Sequence, residues 1–134
     1  MASPAERWTE AWFRAWTEHD PELLGPVYVD GPVQRPSPFR DLDEPQRYAA
    51  WAFSDEVSAE VWFAEPRADA CEWWAISRTE DGAVVTLAGV SLLRFDDDGR
   101  CVDQRDYWSE REGELEPPDG WAPVAFHGSY ERPG

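Results

Sequence analysis

Carboxylates are the main chemical resource of this chain. Its 134 residues carry 28 Asp and Glu against 12 basic residues, a formal charge of −16. Every basic residue is Arg; there is no Lys and no Asn. A Schiff-base lysine, a P-loop lysine and a Cys–His–Asn triad are thereby excluded, and carboxylates remain as the general bases. Two of them stand in strand-like segments among indoles: Glu72 in Cys71-Glu72-Trp73-Trp74 and Asp106 in Gln104-Arg105-Asp106-Tyr107-Trp108. Apolar surroundings and a neighbouring like charge both disfavour ionisation and raise a carboxyl pKa. Such a group can take and return a proton near neutral pH. Isomerisation, aldol cyclisation and dehydration need nothing more, and none of them needs a cofactor.

The rest of the composition narrows the field. A strongly acidic surface repels phosphate backbones, so nucleic acid is not an expected partner. Two His and two Cys leave little for a zinc site. Asp96-Asp97-Asp98 lacks the length and terminal Glu of a calcium loop, so no metal is expected. No segment approaches the ~20 apolar residues of a membrane span, and the first residues have no apolar signal core. A soluble, cytoplasmic protein is the expectation, with Cys71 and Cys101 as reduced thiols. Nine Trp are several times ordinary usage and imply a bulky core or an aromatic-lined cavity.

The elements that must position these groups read as helices first and strands after. Ser3-Pro4-Ala5-Glu6 is a capping box with Pro at the first helical position. Behind it Trp8, Trp12 and Trp16 recur every four residues, so one amphipathic helix runs to about Glu18. Asp20-Pro21 restarts a helix carrying Leu23, Leu24, Val27 and Tyr28, which Asp30-Gly31-Pro32 stops. Residues 33–41 read as irregular. Asp43-Glu44-Pro45-Gln46 opens a third helix with an apolar stripe of Tyr48, Trp51 and Ala52. From Val57 the period becomes two, giving strands near 57–63, 70–77, 84–95 and 100–108 with tight turns at Asp81-Gly82 and Asp98-Gly99. Three helices followed by a four-stranded antiparallel meander is an α+β plan. The mid-strand Gly89 predicts a bend. A strongly bent antiparallel sheet wrapped around three N-terminal helices encloses a cone-shaped pocket.

The segment from Gly89 to Arg100 (GVSLLRFDDDGR), with Asp106-Tyr107-Trp108 after it, resembles SnoaL-like proteins of the nuclear transport factor 2-like superfamily. The Trp-bearing first helix, the Asp20-Pro21 restart and Pro38-Phe39 fit as well, and the resemblance spans roughly residues 5–112. It implies a cone-shaped fold, a pocket between helices and concave sheet, and usually a homodimer. Polyketide cyclases, ketosteroid isomerases, limonene epoxide hydrolases, dehydratases and non-enzymatic binders share that fold, which does not choose among them. Asp106 falls where limonene epoxide hydrolases carry a catalytic Asp. Their other groups do not carry over: the earlier-strand Arg and Asp fall at about Glu72 and Trp74, and the water-holding Tyr and Asn near Val33 and Arg35. The ketosteroid isomerase Tyr is absent from the first helix, and neither His19 nor His127 lies on a strand, as a cyclase would need.

With Asp106 inward, parity sends Gln104 and Trp108 inward with it, and Arg105 and Tyr107 outward. The same alignment turns Glu72, Trp74 and Ile76 inward on the second strand, and Val85, Leu87, Gly89, Ser91 and Leu93 on the third. A one-residue slip would invert any of these sets. The expected catalytic pair is Asp106 as base and Glu72 as acid or orienting group; alternatively Asp106 pairs with Arg35 or Arg94 and only orders the sheet. Trp108, Trp74, Trp12, Trp16, Tyr28, Ile76, Leu87, Gln104 and Phe39 are the expected binding residues. The expected ligand is a hydrophobic cyclic or polyketide-like molecule, handled by an isomerase, cyclase or dehydratase; a non-catalytic binding or association domain is the other reading. Residues 113–134 form a Pro/Gly-rich tail after a domain of residues 1–112. Trp121 and Phe126 are expected to dock on the protein's own surface.

Overall fold

The computed structural model describes residues 2–121. Helix α1 spans Pro4–Glu18 and opens as its residues dictate: the Ser3 hydroxyl accepts from the Glu6 N–H, and the Glu6 carboxylate accepts from the Ser3 N–H. His19 closes it in a left-handed conformation (φ 55°), where its N–H caps Ala15 and Trp16 carbonyls. Asp20-Pro21 does start a helix, but Pro21–Val27 is a short 3-10 turn, and Tyr28 already belongs to a strand. Helix α2, Pro45–Phe53, begins with the Glu44 carboxylate accepting from the N–H groups of Gln46 and Arg47. Its buried face is Ala49 and Phe53; Trp51 is 60 % exposed, with the Arg40 guanidinium stacked 4.6 Å from its ring.

The sheet has five strands: β1 Tyr28–Arg35, β2 Glu56–Phe63, β3 Ala70–Thr79, β4 Val84–Phe95 and β5 Cys101–Glu112. Their order is β1-β5-β4-β3-β2. Four strands form the expected meander. The fifth, β1, lies in the stretch read as helix end and irregular segment, and pairs parallel to β5, so the sheet is mixed. Its register shifts between Tyr28 and Val33, around Gly31-Pro32. Pro32 offers no N–H to a neighbour, which an edge strand tolerates and a central one does not. The helices pack on the concave face, where Trp8, Trp12, Leu24, Tyr28, Val61, Phe63, Trp73 and Leu93 build the core.

The inward set of β3 is Cys71, Trp73, Ala75 and Ser77, all buried; Glu72 is exposed and Trp74 half-buried on the other face. This is one residue off the expected parity. The β2 register fixes it, setting Phe63 against Trp73 and Val61 against Ala75. Alternation could not choose, because β3 is apolar at both parities. The outer face is covered too: the Trp74 indole donates to the Leu115 carbonyl, and the Thr86 hydroxyl donates to Gly113 O and accepts from the Leu115 N–H. Ile76, the partner of Thr86 in the register, is fully buried on this outer side. Trp121 sits edge-to-face on Trp74 at 6.2 Å, against the protein's own sheet; Phe126 and His127 lie outside the described residues. Truncation after Glu112 should therefore uncover Trp74 and Ile76 and lower stability by roughly 2 kcal/mol. Urea unfolding checks this, and an unchanged midpoint would contradict it.

Among the described residues no helix is long and apolar enough to cross a membrane.

Candidate functional site

Between α1, α2 and the concave sheet lies a cavity of about 160 Å³. Asp106 stands on its wall, 6 % exposed. The register of the three strands β1, β5 and β4 assembles its surroundings. Ser91 lies opposite Asp106 across β4–β5, and Gln34 lies opposite Gln104 across β1–β5. The Ser91 hydroxyl donates to Oδ1 at 2.6 Å, Gln34 Nε2 donates to Oδ2 at 2.7 Å, and Gln104 Nε2 reaches both oxygens at 3.0 and 3.2 Å. These donors favour the carboxylate, but burial outweighs them and pushes the pKa up to about 6. Among the described residues no Arg forms an ion pair with Asp106: Arg94 and Arg105 both turn to Asp103, and the buried Arg35 Nε has no hydrogen-bond partner.

A second layer holds the first. The Trp73 indole donates to Ser91 Oγ at 3.1 Å, which leaves the serine proton for Asp106. Trp12 and Trp8 donate to the Tyr28 hydroxyl at 2.7 and 3.0 Å, and Trp8 also reaches Gln104 Oε1 at 3.0 Å. Tyr28 passes its own proton to the same Gln104 Oε1. With its oxygen engaged by Tyr28 and Trp8, the Gln104 amide must present its NH₂ to Asp106. Burial raises the Tyr28 pKa well above its usual value, so it stays a donor. Gln34 differs: its Oε1 is buried and has no partner.

The second carboxylate in the cavity is Glu56, where β2 begins, and not Glu72. Its side chain is 6 % exposed. It accepts from Trp16 Nε1 at 3.0 and 3.3 Å and from the Ser77 hydroxyl, and it lies 2.9 Å from His19 Nε2. The His19 ring stacks on Phe53. A helix-capping residue, a strand start and a strand end thus converge on one carboxylate. Sequence reading missed it because Glu56 carries no local signal and its contacts lie 21 to 40 residues away. His19, the left-handed C-cap of α1, is carried to Glu56 by the end of that helix.

Of the expected binding residues, Trp12, Trp16, Trp108, Leu87 and Gln104 line the cavity. Trp108 is fixed by an N–H bond to the Pro36 carbonyl. Tyr28 stands behind the wall rather than in it. Trp74 and Ile76 are on the outer face, and Phe39 is fully exposed in the loop before α2. Trp73 and Tyr48, which were not among the expected residues, do line it. Burial pushes the Tyr48 hydroxyl up to about 12, with Asp106 adding to the rise.

No family model and no curated protein matches the chain. Solved structures do. A Δ5-3-ketosteroid isomerase from Mycobacterium sp. superposes with a TM-score of 0.63 at 18 % identity, covering 84 % of this chain and 100 % of the other. An NTF2-like protein of unknown function from Exiguobacterium sp. 255-15 gives 0.60 at 15 % identity, covering 80 % and 98 %. An LEH-like epoxide hydrolase of M. tuberculosis gives 0.58 at 20 % identity, covering 79 % and 83 %. The protein therefore has the cone-shaped nuclear transport factor 2-like α+β fold, with its pocket between the helices and the curled sheet.

Proposed function

We propose that this pocket protein is a cofactor-independent acid/base enzyme of the isomerase, cyclase or dehydratase kind, acting on a hydrophobic cyclic substrate with Asp106 as general base. The observation that carries this reading is Asp106 itself: a buried carboxylate without a cationic partner, held by three neutral donors, with a pKa of about 6. At neutral pH it is ionised yet close enough in pKa to accept a substrate proton and return it. The structural neighbours include isomerase and epoxide hydrolase-like enzymes, which supports a pocket of this type. Its volume resembles the ~150 Å³ engineered cavity that holds benzene, enough for a one-ring group within the wall. Glu72, on the outer face, is not the partner acid; in this reading the Tyr48 hydroxyl takes that place on the cavity wall. The protein works in the cytoplasm as a homodimer, with the exposed Leu92 and Tyr107 on the outer face of β4 and β5 as the contact.

Deuterium exchange tests the base. Small cyclic ketones incubated with the protein in D₂O should gain deuterium α to the carbonyl, followed by NMR. Asp106→Asn should slow this by about 10² to 10⁴-fold without changing the circular dichroism. Exchange retained in that variant would sink the proposal.

One observation favours non-catalytic binding as the second reading. The wall has few donors free to stabilise a developing oxyanion, and removing even one such donor costs an enzyme ~10²-fold.

A further inference from the structure

The cavity is electron-rich on nearly every side. Five indoles line it, and each N–H is spent on a protein acceptor: Trp8 and Trp12 on Tyr28, Trp16 on Glu56, Trp73 on Ser91, Trp108 on Pro36. The hydroxyls of Ser77 and Ser91 are spent on Glu56 and Asp106. What the indoles keep for a ligand is their ring surface, whose faces carry negative potential. The charged groups of the wall are two carboxylates, Asp106 and Glu56, and no Arg lines it. His19 Nε2 lies 2.9 Å from Glu56, whereas among the described residues no basic side chain stands against Asp106. Buried charges are normally paired. Among the lining side chains described, the Tyr48 hydroxyl is a donor without a protein acceptor.

We propose that this cavity also takes a small aromatic or cyclic amine of one or two rings, bound as its cation in competition with a neutral ring substrate, with the nitrogen toward the carboxylates and the ring among the indoles. Two properties of the wall select it together. The carboxylates supply the countercharge, and the aromatic faces supply cation–π attraction. A neutral ring compound meets only the second; a carboxylate ligand meets two like charges and no donor but Tyr48. The cavity volume of about 160 Å³ sets the size. The inference rests on the reading of the cavity as a small-molecule site, and not on Asp106 acting as a base.

Calorimetric titration of the full chain at pH 7.5 with three one-ring probes of similar shape tests it. These are 2-phenylethylamine (a cation), 2-phenylethanol (neutral) and 3-phenylpropionate (an anion). The amine should bind at least about tenfold more tightly than the alcohol, and the anion should not bind. Glu56→Gln and Asp106→Asn should each reduce amine affinity by about tenfold and so narrow the preference for the amine over the alcohol. Should either variant fail to fold, the comparison of the three probes on the unaltered protein still decides. Equal or tighter binding of the alcohol overturns the proposal. So does an amine that fails to bind, or an amine preference that survives unchanged in both variants. The outcome is separable from that of the exchange experiment. Loss of the amine preference with Asp106-dependent exchange intact would remove only the ligand class. Amine preference with Asp106-independent exchange would remove only the general base.

Discussion

Asp106→Asn should make this protein more stable at pH 8, by roughly 2 kcal/mol, while abolishing the proton exchange assigned to it. The pKa of Asp106 is raised from the usual carboxyl range to about 6 in the folded state. The folded chain therefore holds that proton more tightly than the unfolded chain does. Stability from this group is complete below about pH 4, is lost as the pH rises toward 6, and stays lost above it. A shift of about two units corresponds to about 3 kcal/mol, and the asparagine removes this penalty at high pH.

The surroundings can accept the amide. Its oxygen takes the donors of Ser91 and Gln104, which point there already. Its NH₂ requires an acceptor, and Gln34 supplies one by turning its amide over, at no cost to Oε1, which has no partner to lose. Gln104 cannot do the same, being locked by Tyr28 and Trp8. Some charge-assisted hydrogen-bond strength is lost, which brings the expected gain down to roughly 2 kcal/mol. Urea unfolding of both proteins at pH 4 and pH 8 reads the difference, and Glu56 and His19, common to both, cancel in it. A variant less stable than the parent at pH 8 would show that the neutral donors fully repay the burial of this charge.

Gly89→Ala should cost about 2 to 4 kcal/mol, a large fraction of the stability of a domain this size. Gly89 faces Trp108 across β4–β5. A Cβ there would stand 2.3 Å from the Tyr107 carbonyl oxygen, 2.5 Å from Trp108 Cβ and 2.8 Å from Trp108 Cα. These are backbone atoms and the root of a side chain, so nothing can swing aside and the strands must part. The backbone dihedrals do not demand glycine here; the close approach of the neighbouring strand does. Parting β4 from β5 would shift Trp108, which lines the cavity and anchors on Pro36, and would pull Ser91 away from Asp106. Both the unfolding midpoint and the indole emission should therefore change. A midpoint within 0.5 kcal/mol of the parent, on the scale of an ordinary surface change, would mean that the sheet is not tightly coiled at this point.

What could be read in the linear chain follows the range of the forces involved. Helix α1 was legible from end to end, because its cap, its Pro4 and its indole spacing all act within four residues. The β4–β5 hairpin was legible for the same reason: a tight turn and alternation on both sides fix its register, so Ser91, Gln104, Asp106 and Trp108 came out on one face. The face of β3 was not, since Trp73 and Trp74 satisfy either parity. Strand β1 was hidden because its hydrogen bonds go to a strand some seventy residues later, as Gln34 to Asp106 does.

The sequence by itself thus determined the α+β plan, the placement of Asp106 on a strand with Gln104 and Trp108, and, through the absence of lysine, the reliance on carboxylates as general bases. Tertiary structure alone decided which second carboxylate joins it. Glu72 and Glu56 are equally unremarkable as letters. One is turned outward by the pairing of β3 with β2, and the other is drawn in where α1 and β3 end and β2 begins. A strand's facing is set by neighbours distant in the chain, and a one-residue shift exchanges its two faces.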